Sequence, residues 1–146
     1  MNRRIIALRG RGGIGKTTTI NMLADMLLTR GWTRESRVLH GNGIDITDVY
    51  FGADGVRLGV ASAGDNFNEV DRSLRILFDA NCTVVVFACR TRDMPDANGV
   101  VQGTHFAMNQ FTNDITFVIK TIVETDNDEQ RRRANDADVN RLIALI

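Results

Sequence analysis

Residues Gly10 to Thr17 read Gly-Arg-Gly-Gly-Ile-Gly-Lys-Thr, a glycine-rich stretch set between an apolar run and an amphipathic one. No other segment constrains the fold as much. Ahead of it, Arg3 to Leu8 carries Ile5-Ile6-Ala7-Leu8, which has the length and composition of a buried strand. Behind it, Ile20, Leu23, Ala24, Leu27 and Leu28 recur at helical spacing, and Gly31 falls where a C-terminal cap belongs. Glycine tolerates the tight curl that must join the two, so the chain is expected to open with strand, loop and helix.

Such a curl turns successive backbone N–H groups inward with no side chains in the way, and the helix that starts there adds its free N–H groups and partial positive charge. That environment suits a polyphosphate. Lys16 places an ammonium at the mouth of the helix and Thr17 a hydroxyl suited to Mg²⁺. Only Lys16 and Lys120 are lysines in an arginine-rich chain, so the ammonium is not a by-product of general basicity.

The pattern G-x-x-x-x-G-K-[ST], with its strand and helix, resembles the first β-α unit of the P-loop NTPases and kinases over about Arg3 to Arg30. The resemblance implies a nucleotide held by Gly10, Arg11, Gly12, Gly13, Ile14, Gly15, Lys16, Thr17 and Thr18, with Lys16 on the β- and γ-phosphates and Thr17 on Mg²⁺. The GTP-specifying Asn-Lys-x-Asp motif does not occur in the sequence, which makes ATP the expected nucleotide. Arg11 stands where deviant-Walker-A ATPases carry a lysine that reaches across a dimer. Arginine keeps the charge and the reach but brings a rigid planar fork.

With 146 residues, one compact domain spanning 1–146 is expected. Lysine plus arginine and aspartate plus glutamate number 18 each, so electrostatics give no general case for nucleic acid. Arg131-Arg132-Arg133 is the one basic run. Asp126, Asp128 and Glu129 beside it point to a solvated, locally paired helix face. No apolar stretch has the length of a membrane span and no signal sequence is evident, so a cytoplasmic protein is expected. Cys82 and Cys89 read as buried thiols, and His40 and His105 as isolated residues without a ligand set.

Farther along, Arg37 to His40 reads as a short strand. Asp48 to Phe51 and Val56 to Ala61 read as a hairpin about Gly52-Ala53-Asp54-Gly55. Asn66 to Ala80 is expected as a helix with Phe67, Val70, Leu74, Leu77 and Phe78 on one face and a cap from Asn66 and Glu69. Thr83 to Ala88 is continuously apolar, the habit of a strand buried on both faces. Thr116 to Val123 reads as a further strand and Asp128 to Ile146 as a closing helix using Ala134, Val139, Leu142, Ile143 and Ile146. The alternation points to an α/β fold: a single doubly wound, mainly parallel sheet with flanking helices, in the manner of the P-loop NTPases, plus a hairpin insertion.

A phosphate loop also needs an acidic partner for Mg²⁺, usually at the end of a neighbouring strand. The run Thr83 to Ala88 ends in Cys89-Arg90 and lacks one. The strand ending at Ala61 runs on to Ser62-Ala63-Gly64-Asp65, which makes Asp65 the candidate metal and catalytic carboxylate, with Ser62 in support. Asp65 reads equally as a cap for the following helix. Asp45 and Asp48 rank lower because they precede a strand. Arg90 and Arg92 emerge past the central strand and open a segment, Thr91 to Asn109, that contains Pro95. In the kinases this chain resembles, a lid after a comparable strand carries arginines that stabilise charge on a moving phosphoryl group, which the resemblance implies for Arg90 and Arg92; they read equally as surface arginines that pack or pair.

Lys16, Asp65, Arg90 and Arg92 are therefore the catalytic candidates of a small kinase-like phosphotransferase using Mg-ATP on a small-molecule acceptor. The alternatives are an ATPase switch that dimerises with itself, resembling the deviant-Walker-A partitioning type, and a nucleotide-binding regulatory module without turnover.

Overall fold

The computed structural model describes residues 2–41, 43–92, 98–99, 103–124 and 127–146. Pro95, Asp126 and much of the expected lid segment lie outside the described residues. In chain order the elements are β1 (Arg4–Arg9), α1 (Lys16–Thr29), β2 (Thr33–Leu39), β3 (Ile46–Phe51), β4 (Arg57–Ala61), α2 (Phe67–Asp79), β5 (Val84–Cys89), α3 (Thr104–Asn109), β6 (Ile115–Ile119) and α4 (Asp128–Leu145). The strands form one mixed sheet in the order β2-β3-β4-β5-β1-β6. β4, β5, β1 and β6 are mutually parallel, whereas β2 and β3 join through antiparallel pairings.

Alternation along the strands explains the layers. In β1, Ile6 and Leu8 face α1 and α4, where they meet Ile20, Leu23, Val139 and Leu142. Ile5 and Ala7 point the other way, onto Leu74 and Leu77 of α2 and Met108 of α3. β5 divides in the same way, Val84, Val86 and Ala88 against Val85 and Phe87. A strand buried on both faces has no polar side to show, which is why the run through Val84-Val85-Val86-Phe87 is unbroken. The fold is thus α/β, a mostly parallel sheet between two helical layers.

Several boundaries differ from the sequence expectation. The insertion is a three-stranded meander rather than a lone hairpin, because Thr33 to Leu39 pairs along β3 from Thr33↔Phe51 to Leu39↔Ile46. Every residue of β2 is exposed, so its sequence carries no burial pattern to announce a strand. The expected β3-β4 hairpin is present, with Gly52 N donating to Val56 O at 2.9 Å across its turn. The strand expected through Val123 stops at Ile119. There, the Thr121 N–H donates to Asp138 Oδ2 at 3.0 Å, so a side chain of α4 satisfies a group that a neighbouring strand would otherwise take. Thr104 to Asn109, expected within a lid, is helical and buries Ala107 and Met108. Leu28, expected on the buried face of α1, is exposed.

Candidate functional site

All four parallel strands end on one edge, and the glycine loop lies there between β1 and α1. Backbone bonds tie it down on both sides: Gly10 N donates to Cys89 O at 3.2 Å, Thr91 N to Gly10 O at 3.2 Å, and Lys120 N to Arg9 O at 2.9 Å. Gly15 precedes α1 in the left-handed region, φ 91°, and offers no side-chain cap, and the first turn holds no acidic residue. α2 and α4 are built differently, with Asn66 accepting from Glu69 N and Asn127 accepting from Gln130 N. The amino end of α1 therefore keeps N–H groups and positive dipole available for an external anion.

Lys16 is folded over the loop. Its Nζ donates to Gly10 O at 2.5 Å and to Arg11 O at 2.9 Å, and the residue is only 9% exposed. Burial lowers the ammonium's pKa below its ordinary 10.5, Asp65 opposes that shift, and Arg90 reinforces it. Thr17 is half-buried in the first turn, and Thr18 is exposed. Thr19, not singled out from the sequence, donates to Gly15 O at 3.0 Å and lies 3.2 Å from Asn135 Oδ1 of α4.

Asp65 and Arg90, chosen separately, are brought together: Arg90 Nε donates to Asp65 Oδ1 at 2.8 Å. That bond raises the pKa of the guanidinium. The same guanidinium rests on Gly12, where a methyl group would come within 2.5 Å of Nη1. Asp65 does not cap α2. Asn66 does, in a reciprocal box where Glu69 N donates to Asn66 Oδ1 at 3.0 Å and Asn66 Nδ2 to Glu69 Oε2 at 3.1 Å. Burial and the charge of Asp65 raise the pKa of Glu69.

Ser62 is not placed against Asp65. Its hydroxyl donates to Asp45 Oδ1 at 2.9 Å and accepts from Ile46 N at 2.9 Å. Asp45 precedes a strand, but β3 runs antiparallel to β4, so its beginning lies at the edge where the parallel strands end. Asp48 is buried within β3 and is paired with Arg37 at 2.8 Å and with the Tyr50 hydroxyl at 2.7 Å, a structural role. Among the described residues no cluster of His, Cys, Asp or Glu could by itself hold a metal ion.

Two cavities flank the loop. One, of about 490 Å³, lies between Arg11, Gly15 and Thr18 on one side and Thr121, Arg132 and Asn135 on the other. Sequence patterning gave no sign of it. Arg131 and Arg133 pair with Asp128 and Glu129 as expected for a solvated face, yet Arg131 and Arg132 also line this cavity. The second, of about 380 Å³, is mainly apolar and lies among Gly12, Ile14, Arg90, Arg92, Ile119 and Ile122. Arg92 thus lies on the rim beside Arg90.

Comparison with protein-family models and with curated proteins finds no match. Among solved structures, the crystal structure of APE1195 aligns with 99% of this chain and 74% of that chain at 18% identity, with a TM-score of 0.38. No helix among the described residues is long and apolar enough to cross a membrane.

Proposed function

We propose that this protein is a P-loop protein that binds Mg-ATP at the glycine loop and acts as a small kinase-like phosphotransferase. The observation that carries the reading is Lys16, a nearly buried ammonium that among the described residues donates to two carbonyls of its own loop, at the mouth of a helix with no side-chain cap. A triphosphate offers that ammonium stronger, charged acceptors and offers the free N–H groups of α1 their partners.

The residues present fit the nucleotide and the metal. The glycine loop and Lys16 would hold the β- and γ-phosphates. Thr17 and Asp65 would supply protein oxygens to Mg²⁺, which is commonly held by one or two side chains plus phosphate and water rather than by a protein cage. When bound, the metal supplies charge neutralisation. The cavity beside Thr121 and Asn135 has room for the nucleoside, and the one beside Arg90 and Arg92 has room for an acceptor on the other side of the loop. Catalysis then consists of positioning and electrostatics, with Arg90 and Arg92 facing the moving phosphoryl group. Mass spectrometry of a metabolite pool incubated with protein and Mg-ATP tests this reading. It requires an acceptor that gains phosphate, and the reading fails if none does.

One observation favours a second reading, an ATPase switch that dimerises. Arg11 is exposed on the loop and lines both flanking cavities, where it can reach a nucleotide held by another copy. Light scattering separates the two readings, since a switch changes mass between ATP and ADP whereas a monomeric kinase keeps the same mass.

A further inference from the structure

The catalytic cation and the metal-binding carboxylate proposed above are bonded to each other. Arg90 Nε lies 2.8 Å from Asp65 Oδ1, with the two side chains 28% and 50% exposed. The guanidinium is laid across Gly12, on the rim where phosphate would enter. We propose that Asp65 competes with the incoming phosphate for Arg90, so that anion binding exchanges the partner of Arg90 and releases the Asp65 carboxylate for Mg²⁺. This inference rests on the phosphate-binding reading of the glycine loop.

The backbone around the pair makes this a rotamer exchange rather than a loop movement. Gly64 is wedged so tightly that an added methyl would lie 1.9 Å from Ala88 O, and Asn66 is locked in its capping box with Glu69. Asp65 is thus anchored on both sides. Arg90 is anchored too, because Cys89 pairs with Arg9 across the sheet and Thr91 N donates to Gly10 O. The long side chain of Arg90 remains free to swing between Asp65 and an anion over Gly12. Lys16 repeats the logic, since its bonds to Gly10 O and Arg11 O also give way to phosphate. Both cations are thereby partnered until the ligand arrives, and the Asp65 oxygen bonded to Arg90 is released only once the anion has bound.

The test is calorimetry of the full chain with sodium tripolyphosphate in excess EDTA. An exposed ion pair is weak, so Asp65→Asn should tighten tripolyphosphate binding about three- to fivefold by freeing Arg90. Asp65→Ser should do the same. In an Arg90→Met background, which binds the anion more weakly, the gain from Asp65→Asn should disappear. A gain of equal size in both backgrounds would mean a general charge effect and would overturn the exchange, as would no gain in either. Wild-type protein that is folded yet binds no tripolyphosphate would instead refute the phosphate-loop reading itself.

Discussion

Lys120 Nζ lies 2.8 Å from Asp138 Oδ2 with both side chains withdrawn from solvent, and this pair fastens α4 to the end of β6 directly beneath the glycine loop. Asp138 also accepts from Thr121 Oγ1 at 2.7 Å, Thr121 N at 3.0 Å and Arg141 Nη2 at 2.6 Å. The pair is asymmetric. Asp138→Asn removes the counter-charge of a buried ammonium, which keeps its bond to Thr121 O at 2.9 Å, and is expected to cost about 3–5 kcal/mol in urea unfolding, the range for breaking a buried pair from one side. Lys120→Met leaves Asp138 with Thr121 and Arg141 and should cost clearly less. Equal losses would mean that Asp138 is not the hub.

The same network sets a pH dependence. Burial alone would raise the pKa of Asp138, but hydrogen bonds from Lys120, Thr121 and Arg141 outweigh it and bring the pKa below the ordinary 3.8. A lowered carboxylate contributes stability that is fully present above its unfolded pKa and is lost as pH falls through the folded one. Unfolding free energy should therefore decline below about pH 4 with a slope that Asp138→Asn reduces. An unchanged slope in the variant would contradict the assignment.

The β1-α1 unit, α2 and β5 are legible in the sequence because burial imposes a helical period on the helices and an unbroken apolar run on the central strands. Contacts between distant residues left no such trace. The strand expected through Val123 ends early because a carboxylate 17 positions farther on takes the Thr121 N–H, a contact invisible to local pattern. Asp45 ranks low in the sequence because it precedes its strand, although the antiparallel course of β3 brings that start to the edge where the parallel strands end. Asp65 and Arg90 were each singled out from the sequence, but only the folded chain shows that they hold each other. The larger cavity needs α4 folded back on the glycine loop, which no motif encodes.

Close packing gives a sharp contrast between two glycines. At Gly64 an added methyl meets the Ala88 carbonyl at 1.9 Å, and backbone cannot step aside as a side chain can. Gly64→Ala should cost about 3 kcal/mol, the upper end of what overpacking costs. At Gly12 the atoms nearest the methyl are the far end of the long Arg90 side chain, so Gly12→Ala should change stability by less than about 1 kcal/mol while breaking the Arg90–Asp65 contact. Thermal unfolding of the two variants checks the order, and a Gly12→Ala loss matching that of Gly64→Ala would contradict it.

Burial pushes the Cys82 thiol up to about 11, and Cys89 is equally withdrawn from solvent. Neither should react appreciably with a disulfide reagent at pH 8 in the native protein, and both should react at once in denaturant. Rapid labelling of the native chain would show that the sheet does not cover them as described.

If the cavity beside Asn135 takes the nucleoside, then Asn135→Leu should weaken ATP but leave tripolyphosphate binding within about twofold, because the phosphate contacts lie on the loop. Calorimetry with both ligands makes the comparison. Equal weakening of both would place the nucleoside elsewhere.

Lys16 tests the central claim most directly. Titration of wild type and Lys16→Ala with Mg-ATP should show loss of a charge-assisted contact worth about 1.5–3 kcal/mol, roughly a 10- to 150-fold rise in Kd. Equal affinity for ATP in the two proteins, or no binding by folded wild type, would contradict the assignment of Gly10 to Thr17 as a phosphate-binding loop.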